Sequence, residues 1–180
     1  MTLFINCCPR EASRTERLAR ALLKTLGEYK ELRLYDEPLH PLGREDIARR
    51  GALLAEKRYD DEMFRYARQF AAADKIVIAA PLWDLSFPAQ LKVYLENIYV
   101  TGIVTKYSDT GQPVGLCRAS ELSYVTTSAA TDSAVRRLSP VIITILSMPS
   151  AWSACTAAFA SLRSGSWMQM TAASSPAMQR

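Results

Sequence analysis

Three polar residues stand where a strand pattern gives way to a helix pattern. Ser13, Arg14 and Thr15 follow the apolar run 2–7 and open a segment with helical spacing. Hydroxyl groups, a guanidinium and the free N–H groups of a helix start together favour the binding of an anion. A simpler reading stays open, in which Ser13 is only an N-cap and Glu16 completes a capping box.

A second stretch, PLWDLSFP, follows a continuous apolar run. It alternates large apolar side chains, such as Trp83 and Leu85, with the polar side chains of Asp84 and Ser86. Apolar surfaces beside backbone amides suit a flat aromatic ligand. The alternative is a hydrophobic turn that packs on the core.

A third stretch, TTSAA at 126–130, ends another strand-like run. Its hydroxyl groups could donate hydrogen bonds to a ligand. Strand ends are commonly rich in such residues, so this stretch alone indicates little.

Alternating strand and helix patterns must position these three stretches. Strands are predicted at 2–7, 31–36, 74–81 and 119–128, helices at 14–27, 44–57, 60–73 and 88–102, and a loop at 107–115. This order predicts an α/β fold, a doubly wound parallel sheet with helices on both faces in three layers. Ligands bind beyond the carboxyl ends of such strands, where segments 8–15, 81–87 and 126–130 lie.

Composition excludes several other classes of function. The net charge is only +4, and Lys and Arg are mixed with Asp and Glu, so we expect no nucleic-acid partner. A single histidine and the absence of a CxxC pair argue against a metal site. No uninterrupted uncharged helix pattern reaches the roughly 20 residues of a membrane span, and no signal peptide is expected. The adjacent Cys7 and Cys8 cannot form an ordinary structural disulfide with each other. We therefore expect reduced thiols and a cytoplasmic protein.

Three segments together carry a family resemblance: LFINCCPREASRTERLARALL, PLWDLSFPAQLKVYLENIYVTGIVTKYSDTGQPVGL and YVTTS. Over residues 2–128 the sequence resembles the FMN-dependent NAD(P)H oxidoreductases of the azoreductase and quinone-reductase type, which have a flavodoxin-like fold. The resemblance implies FMN as cofactor and NAD(P)H as cosubstrate. It also implies hydride transfer in a ping-pong mechanism to a quinone, azo or nitro acceptor, and a homodimer.

The same resemblance implies the residues that bind the cofactor. No side chain is required as a catalytic acid or base, since the flavin carries the chemistry. Asp84 is expected to point to solvent or to bond backbone amides. The cofactor-binding residues are Pro9, with Ser13, Arg14 and Thr15 at the phosphate, then Pro81, Leu82, Trp83, Asp84, Leu85 and Ser86 along the ring, and Thr127 and Ser128 near its pyrimidine end.

Two other functions are compatible with these residues. A non-catalytic FMN electron carrier would use the same site, but such carriers are usually strongly acidic and this chain is net basic. A pseudoenzyme or a truncated product would lack flavin altogether. Turnover of NADH with a quinone separates the enzyme from the carrier, and flavin absorbance separates both from the third.

The C-terminal segment 129–180 differs from the FMN-binding domain predicted for residues 1–128. It contains no Glu, Lys, Asn or Tyr, whereas Ser, Ala and Thr are abundant. The family has Gly-Gly-Tyr after Thr-Thr-Ser, and this chain has Ala129, Ala130 and Thr131. We expect this segment to complete the last strand and helix poorly and to weaken FMN binding, because alanine prevents the close backbone approach that glycine allows.

A shift of reading frame near Ser128 would explain the change, and a divergent C-terminus is the alternative. Codons built from the third base of each codon and the first two of the next allow Gly-Gly-Tyr at 129–131. We predict that the coding nucleotides contain such a frame without a stop. Sequencing the gene tests this, and a stop codon in each shifted frame would rule the explanation out.

Overall fold

The structure is a computed structural model that describes residues 1–84 and 86–127, together with the backbone of 143–144. The predictions for Leu85, Ser128 and most of 129–180 lie outside the described residues. The strands are β1 (Thr2–Asn6), β2 (Tyr29–Arg33), β3 (Lys75–Ala79), β4 (Thr105–Tyr107), β5 (Pro113–Gly115), β6 (Glu121–Val125) and β7 (Ile143–Thr144). The helices are α1 (Arg14–Leu26), α2 (Arg44–Ala55), α3 (Arg65–Ala72) and α4 (Ala89–Ile98).

The main sheet has the strand order β2-β1-β3-β6-β7. The first four strands are parallel, which confirms the predicted parallel α/β sheet. The short β7 runs antiparallel to β6, so the edge of the sheet differs from the all-parallel prediction. In register, Asn6 of β1 lies beside Ala79 of β3, which lies beside Val125 of β6. Three strands therefore end at one level.

Side chains alternate between the two faces of this sheet, as the period of two in a strand requires. Phe4 and Val77 pack with Ala19 and Leu23 of α1 on one face. Leu3 and Ile5 lie on the opposite face and pack in a core with side chains of α2, α3 and α4. Both faces of the central strands are buried, so the domain has three layers.

The prediction of a loop at 107–115 is wrong at both ends of this segment. The structure forms a hairpin there, in which β4 and β5 pair antiparallel. The connection is closed by a hydrogen bond from the amide of Ser108 to the carbonyl of Gln112, 2.8 Å long, and Gly111 supplies a φ of 76°. The turn formers in the centre are visible in the sequence, but three residues on each side are too few to show strand alternation.

Several element boundaries also differ from the predictions. β2 begins at Tyr29 rather than at 31 and ends at Arg33, and the predicted helix 60–73 begins as a 3-10 turn at Glu62–Phe64. Helix α4 ends at Ile98, four residues early. The guanidinium of Arg50 donates to the carbonyl groups of Glu96 and Tyr99, which satisfies backbone acceptors at this helix end.

Gly102 and Gly51 offer a matched pair of substitutions. Gly102 has a φ of 93°, and a Cβ there would lie 2.6 Å from the ring of Tyr59, so Gly102→Ala should lower the free energy of unfolding by at least about 2 kcal/mol. Gly51 lies inside α2 with no heavy atom within 4 Å of an added Cβ. Gly51→Ala should raise stability by about 0.5–1 kcal/mol. Urea unfolding of both variants measures this, and equal effects would contradict the assigned geometry.

Candidate functional site

Three loops meet where β1, β3 and β6 end, and they enclose a cavity of about 350 Å³. We call them the first loop (7–13), the second loop (80–88) and the third loop (126–127). The cavity is lined by Pro9, Arg10, Ala12, Ser13, Arg14, Thr15, Pro81, Leu82, Trp83 and Thr127.

The first loop leads into the N-terminus of α1. Ser13 is the N-cap, and its hydroxyl accepts a hydrogen bond of 3.3 Å from the amide of Glu16. This confirms the capping role, and Ser13 lines the cavity as well. The reciprocal half of the capping box is replaced, because the Glu16 carboxylate accepts hydrogen bonds from Arg20 and Arg33.

Two carboxylates and two guanidinium groups form an ion-pair cluster beside this helix start. Arg20 lies 2.7 Å from Glu16 and 3.0 Å from Glu31, and Arg33 contacts both carboxylates at 3.3 and 3.2 Å. Burial acts to raise the pKa of Glu31, but hydrogen bonds from Asn6 and Arg20 hold that pKa below its usual value. Both ion pairs of Glu16 involve its Oε1, whereas its buried Oε2 has no hydrogen-bond partner. Arg10 and Arg14 add positive charge to the cavity lining.

The second loop contains a tight turn. The amides and carbonyls of Trp83 and Ser86 exchange two hydrogen bonds, of 2.9 and 2.7 Å. Asp84 follows Trp83 with a φ of 49°, in the left-handed region that Asp tolerates better than most residues. Asp84 is exposed, in agreement with the expected orientation toward solvent. Trp83 is 39% exposed and borders the cavity.

The third loop joins the other two. The hydroxyl oxygens of Thr127 and Thr15 lie 2.7 Å apart, so the third loop contacts the start of α1. The carbonyl of Thr127 accepts a hydrogen bond of 3.1 Å from the amide of Leu82 in the second loop.

Most of the predicted site residues lie together around the cavity: Pro9, Ser13, Arg14, Thr15, Pro81, Leu82, Trp83 and Thr127. Asp84 and Ser86 are not among its lining residues, and Leu85 and Ser128 lie outside the described residues. Sequence reasoning missed Arg10 and Ala12. Both fall within the predicted segment 8–15, and Arg10 could have been found as a cation directly after the strand. The part that each residue plays in binding stays a prediction.

Cys7 and Cys8 continue β1 into the site and are both buried. Burial raises the pKa of Cys7 to about 12, and burial likewise raises the pKa of Cys8. Both side chains are therefore neutral thiols near neutral pH. His40, by contrast, is largely exposed and lies 3.4 Å from Asp46.

Within residues 1–84 and 86–127, no group of three or more His, Cys, Asp or Glu side chains has an arrangement suited to a metal ion. The same part of the chain contains no helix with the length and apolar character that a membrane crossing requires.

The fold agrees with a comparison against protein-family models. The model described as "Flavodoxin-like fold" matches residues 1–141. The chain belongs to this flavodoxin-like family. The match covers more than half of the chain and includes all three loops of the site.

Relatives of known description support the same family. The chain is 37% identical over 131 residues to an FMN-dependent NADH:quinone oxidoreductase of Caldicellulosiruptor bescii. This match covers 68% of this chain and 65% of the relative. It is 39% identical over 126 residues to FMN-dependent NADH:quinone oxidoreductase 2 of Clostridium acetobutylicum, with 67% and 62% covered. The chain thus spans slightly less than two thirds of the length of these relatives.

Among solved structures, the flavodoxin-like domain is similar to an azoreductase from Bacillus anthracis strain Sterne. The TM-score is 0.62 and the sequence identity is 26%, with 75% of this chain and 73% of the azoreductase covered. The similarity in fold therefore extends over most of both chains.

The buried thiols predict resistance to alkylation. Both side chains are buried, and burial raises the pKa of each thiol, so at pH 8 iodoacetamide should leave Cys7 and Cys8 of the native protein unmodified. Because the folded pKa exceeds the ordinary 9.0, this group favours the native state below pH 9 and ceases to do so as the pH rises toward 12.

Peptide mass mapping before and after denaturation measures this reactivity. Urea-denatured protein is the control and should be alkylated at both positions. Rapid modification of native Cys7 at pH 8 would contradict its buried position.

Proposed function

We propose that the cavity binds FMN and that the protein is an NAD(P)H-dependent oxidoreductase acting on quinone or azo acceptors. One observation carries this proposal: the cavity joins a cationic, hydroxyl-bearing helix start to an apolar surface that includes Trp83. FMN has the same two chemical parts, an anionic phosphate and a flat aromatic ring. The names of the quinone oxidoreductase and azoreductase relatives support the same function.

The residues at the start of α1 fit a phosphate. The first turn of a helix presents N–H groups and the positive end of the helix dipole, which favour an anion. Arg10 and Arg14 line this side of the cavity and add positive charge, and Ser13 and Thr15 add hydroxyl groups. We therefore assign these four residues to the phosphate end of FMN.

The second loop fits the flavin ring. Pro81, Leu82 and Trp83 border the cavity with apolar surface, and their backbone lies beside the third loop. Such surfaces exclude water and orient a flat ring, while backbone N–H groups can stabilise negative charge on it.

When bound, FMN would supply the two-electron chemistry, taking a hydride from NAD(P)H and passing electrons to the acceptor. The protein's own contribution is to hold the phosphate, to shape the apolar side of the cavity and to leave it open to substrates. Trp83, being both exposed and at the cavity, is the side chain placed to contact a planar acceptor.

The proposal includes a cytoplasmic homodimer whose FMN-binding unit is residues 1–128. The three described cysteines are buried free thiols, which supports a reducing compartment. The homodimer rests on the family resemblance, and sedimentation of the purified protein would test it.

Arg14→Gln tests the phosphate assignment. Loss of one guanidinium from the cavity lining should weaken FMN binding about tenfold and leave riboflavin, which has no phosphate, nearly unaffected. Arg17→Gln is the matched control, since Arg17 is exposed on the same helix and is not among the lining residues. Flavin fluorescence titration measures the affinities of the unaltered protein and of both variants for each ligand.

Equal losses for FMN and riboflavin in Arg14→Gln would contradict the phosphate assignment. Steady-state oxidation of NADH with a quinone, in the FMN-saturated protein, tests the enzyme itself. Flavin binding without such turnover would favour an electron carrier, and the absence of any flavin binding would overturn the proposed function.

A further inference from the structure

Thr127 contacts both of the other loops at the cavity. Its hydroxyl oxygen lies 2.7 Å from that of Thr15, at the helix start assigned to the phosphate. Its carbonyl accepts a 3.1 Å hydrogen bond from Leu82, at the loop assigned to the ring. Thr15 is 1% exposed, so water competes little for the bond between the hydroxyl groups.

The two hydroxyl groups can exchange donor and acceptor roles. Together they carry two protons, and the bond between them uses one, with either oxygen as donor. If the hydroxyl of Thr15 donates a hydrogen bond to an anion in the cavity, the hydroxyl of Thr127 must be the donor in the bond between the two threonines. The anion thereby fixes the direction of this bond, and a chain of hydrogen bonds that runs in one direction is strengthened along its length.

The carbonyl of Thr127 extends this connection to the second loop. Its bond to the amide of Leu82 fixes the backbone immediately before Trp83. Leu82 and Trp83 both line the cavity, so an ordered Thr127 also orders the apolar surface that would contact a ring.

We propose that Thr127 is a positioning residue that couples occupation of the phosphate end of the site to binding at the ring end. This inference rests on the proposed function and extends it. It differs from a merely structural role in one measurable respect. A structural role weakens binding of both ligand parts, whereas coupling makes binding of one part depend on the other.

The experiment separates FMN into two probes, lumiflavin for the ring and inorganic phosphate for the anion. The affinity of the full-length protein for lumiflavin is measured by fluorescence, with and without saturating phosphate at constant ionic strength. In the unaltered protein, phosphate should tighten lumiflavin binding about five- to tenfold. Thr127→Val should abolish this effect, and Thr127→Ser, which keeps the hydroxyl, should restore it.

Thr105→Val is the matched control. Thr105 is also buried and its hydroxyl donates a 3.2 Å bond to the carbonyl of Val114, but it lies in the hairpin of β4 and β5. This variant should retain the full effect of phosphate. If Thr127→Val does not fold, Thr127→Ala removes the same hydroxyl group with a smaller side chain and should also abolish the coupling.

An unchanged phosphate effect in Thr127→Val would overturn the inference, as would the absence of the effect in the unaltered protein. If FMN binds and turnover is normal in either case, the proposed function stands and only the coupling fails. If neither FMN nor lumiflavin binds, both proposals fail together.

Discussion

The parallel pairing of β1 with β3, and of β3 with β6, is the constraint on which the site depends. Because Asn6, Ala79 and Val125 are neighbours across the sheet, the three loops begin at one level. Burial of both faces of these strands between α1 and the other helices fixes that register, since a slip of one residue would turn each apolar side chain to the wrong face. The position of the cavity therefore depends on the packing of the strands against the helices, away from the cavity itself.

The start of α1 reconciles two demands that oppose each other. A helix N-terminus attracts anions, and the carboxylate of Glu16 lies buried in its first turn. Arg20 and Arg33 form ion pairs with this carboxylate, and Arg10 and Arg14 are among the residues that line the cavity. Ser13 likewise serves two purposes, because the hydroxyl that caps the helix also borders the cavity.

Patterns within single elements were sufficient to predict the parallel sheet and the segments that border the cavity. The apolar run at 74–81 predicted a buried strand, which the structure places at Lys75–Ala79, and the polar residues at 13–15 predicted a helix start. Short or distant features were not predictable in this way. The strands of the 105–115 hairpin have three residues each, and the contact between Thr15 and Thr127 depends on the sheet register rather than on any local pattern.

The contact between Thr15 and Thr127 also bears on the order of folding. It joins residues separated by 112 positions, so it requires the ends of β1 and β6 to be brought together across the sheet. Closing such a long loop costs chain entropy that local helices do not incur, and topologies with distant contacts fold slowly. During synthesis, the cavity lacks one side until β6 has emerged from the ribosome. A ligand that contacts all three loops would therefore bind the assembled domain and stabilise it, but would not bind the partly folded chain that precedes it.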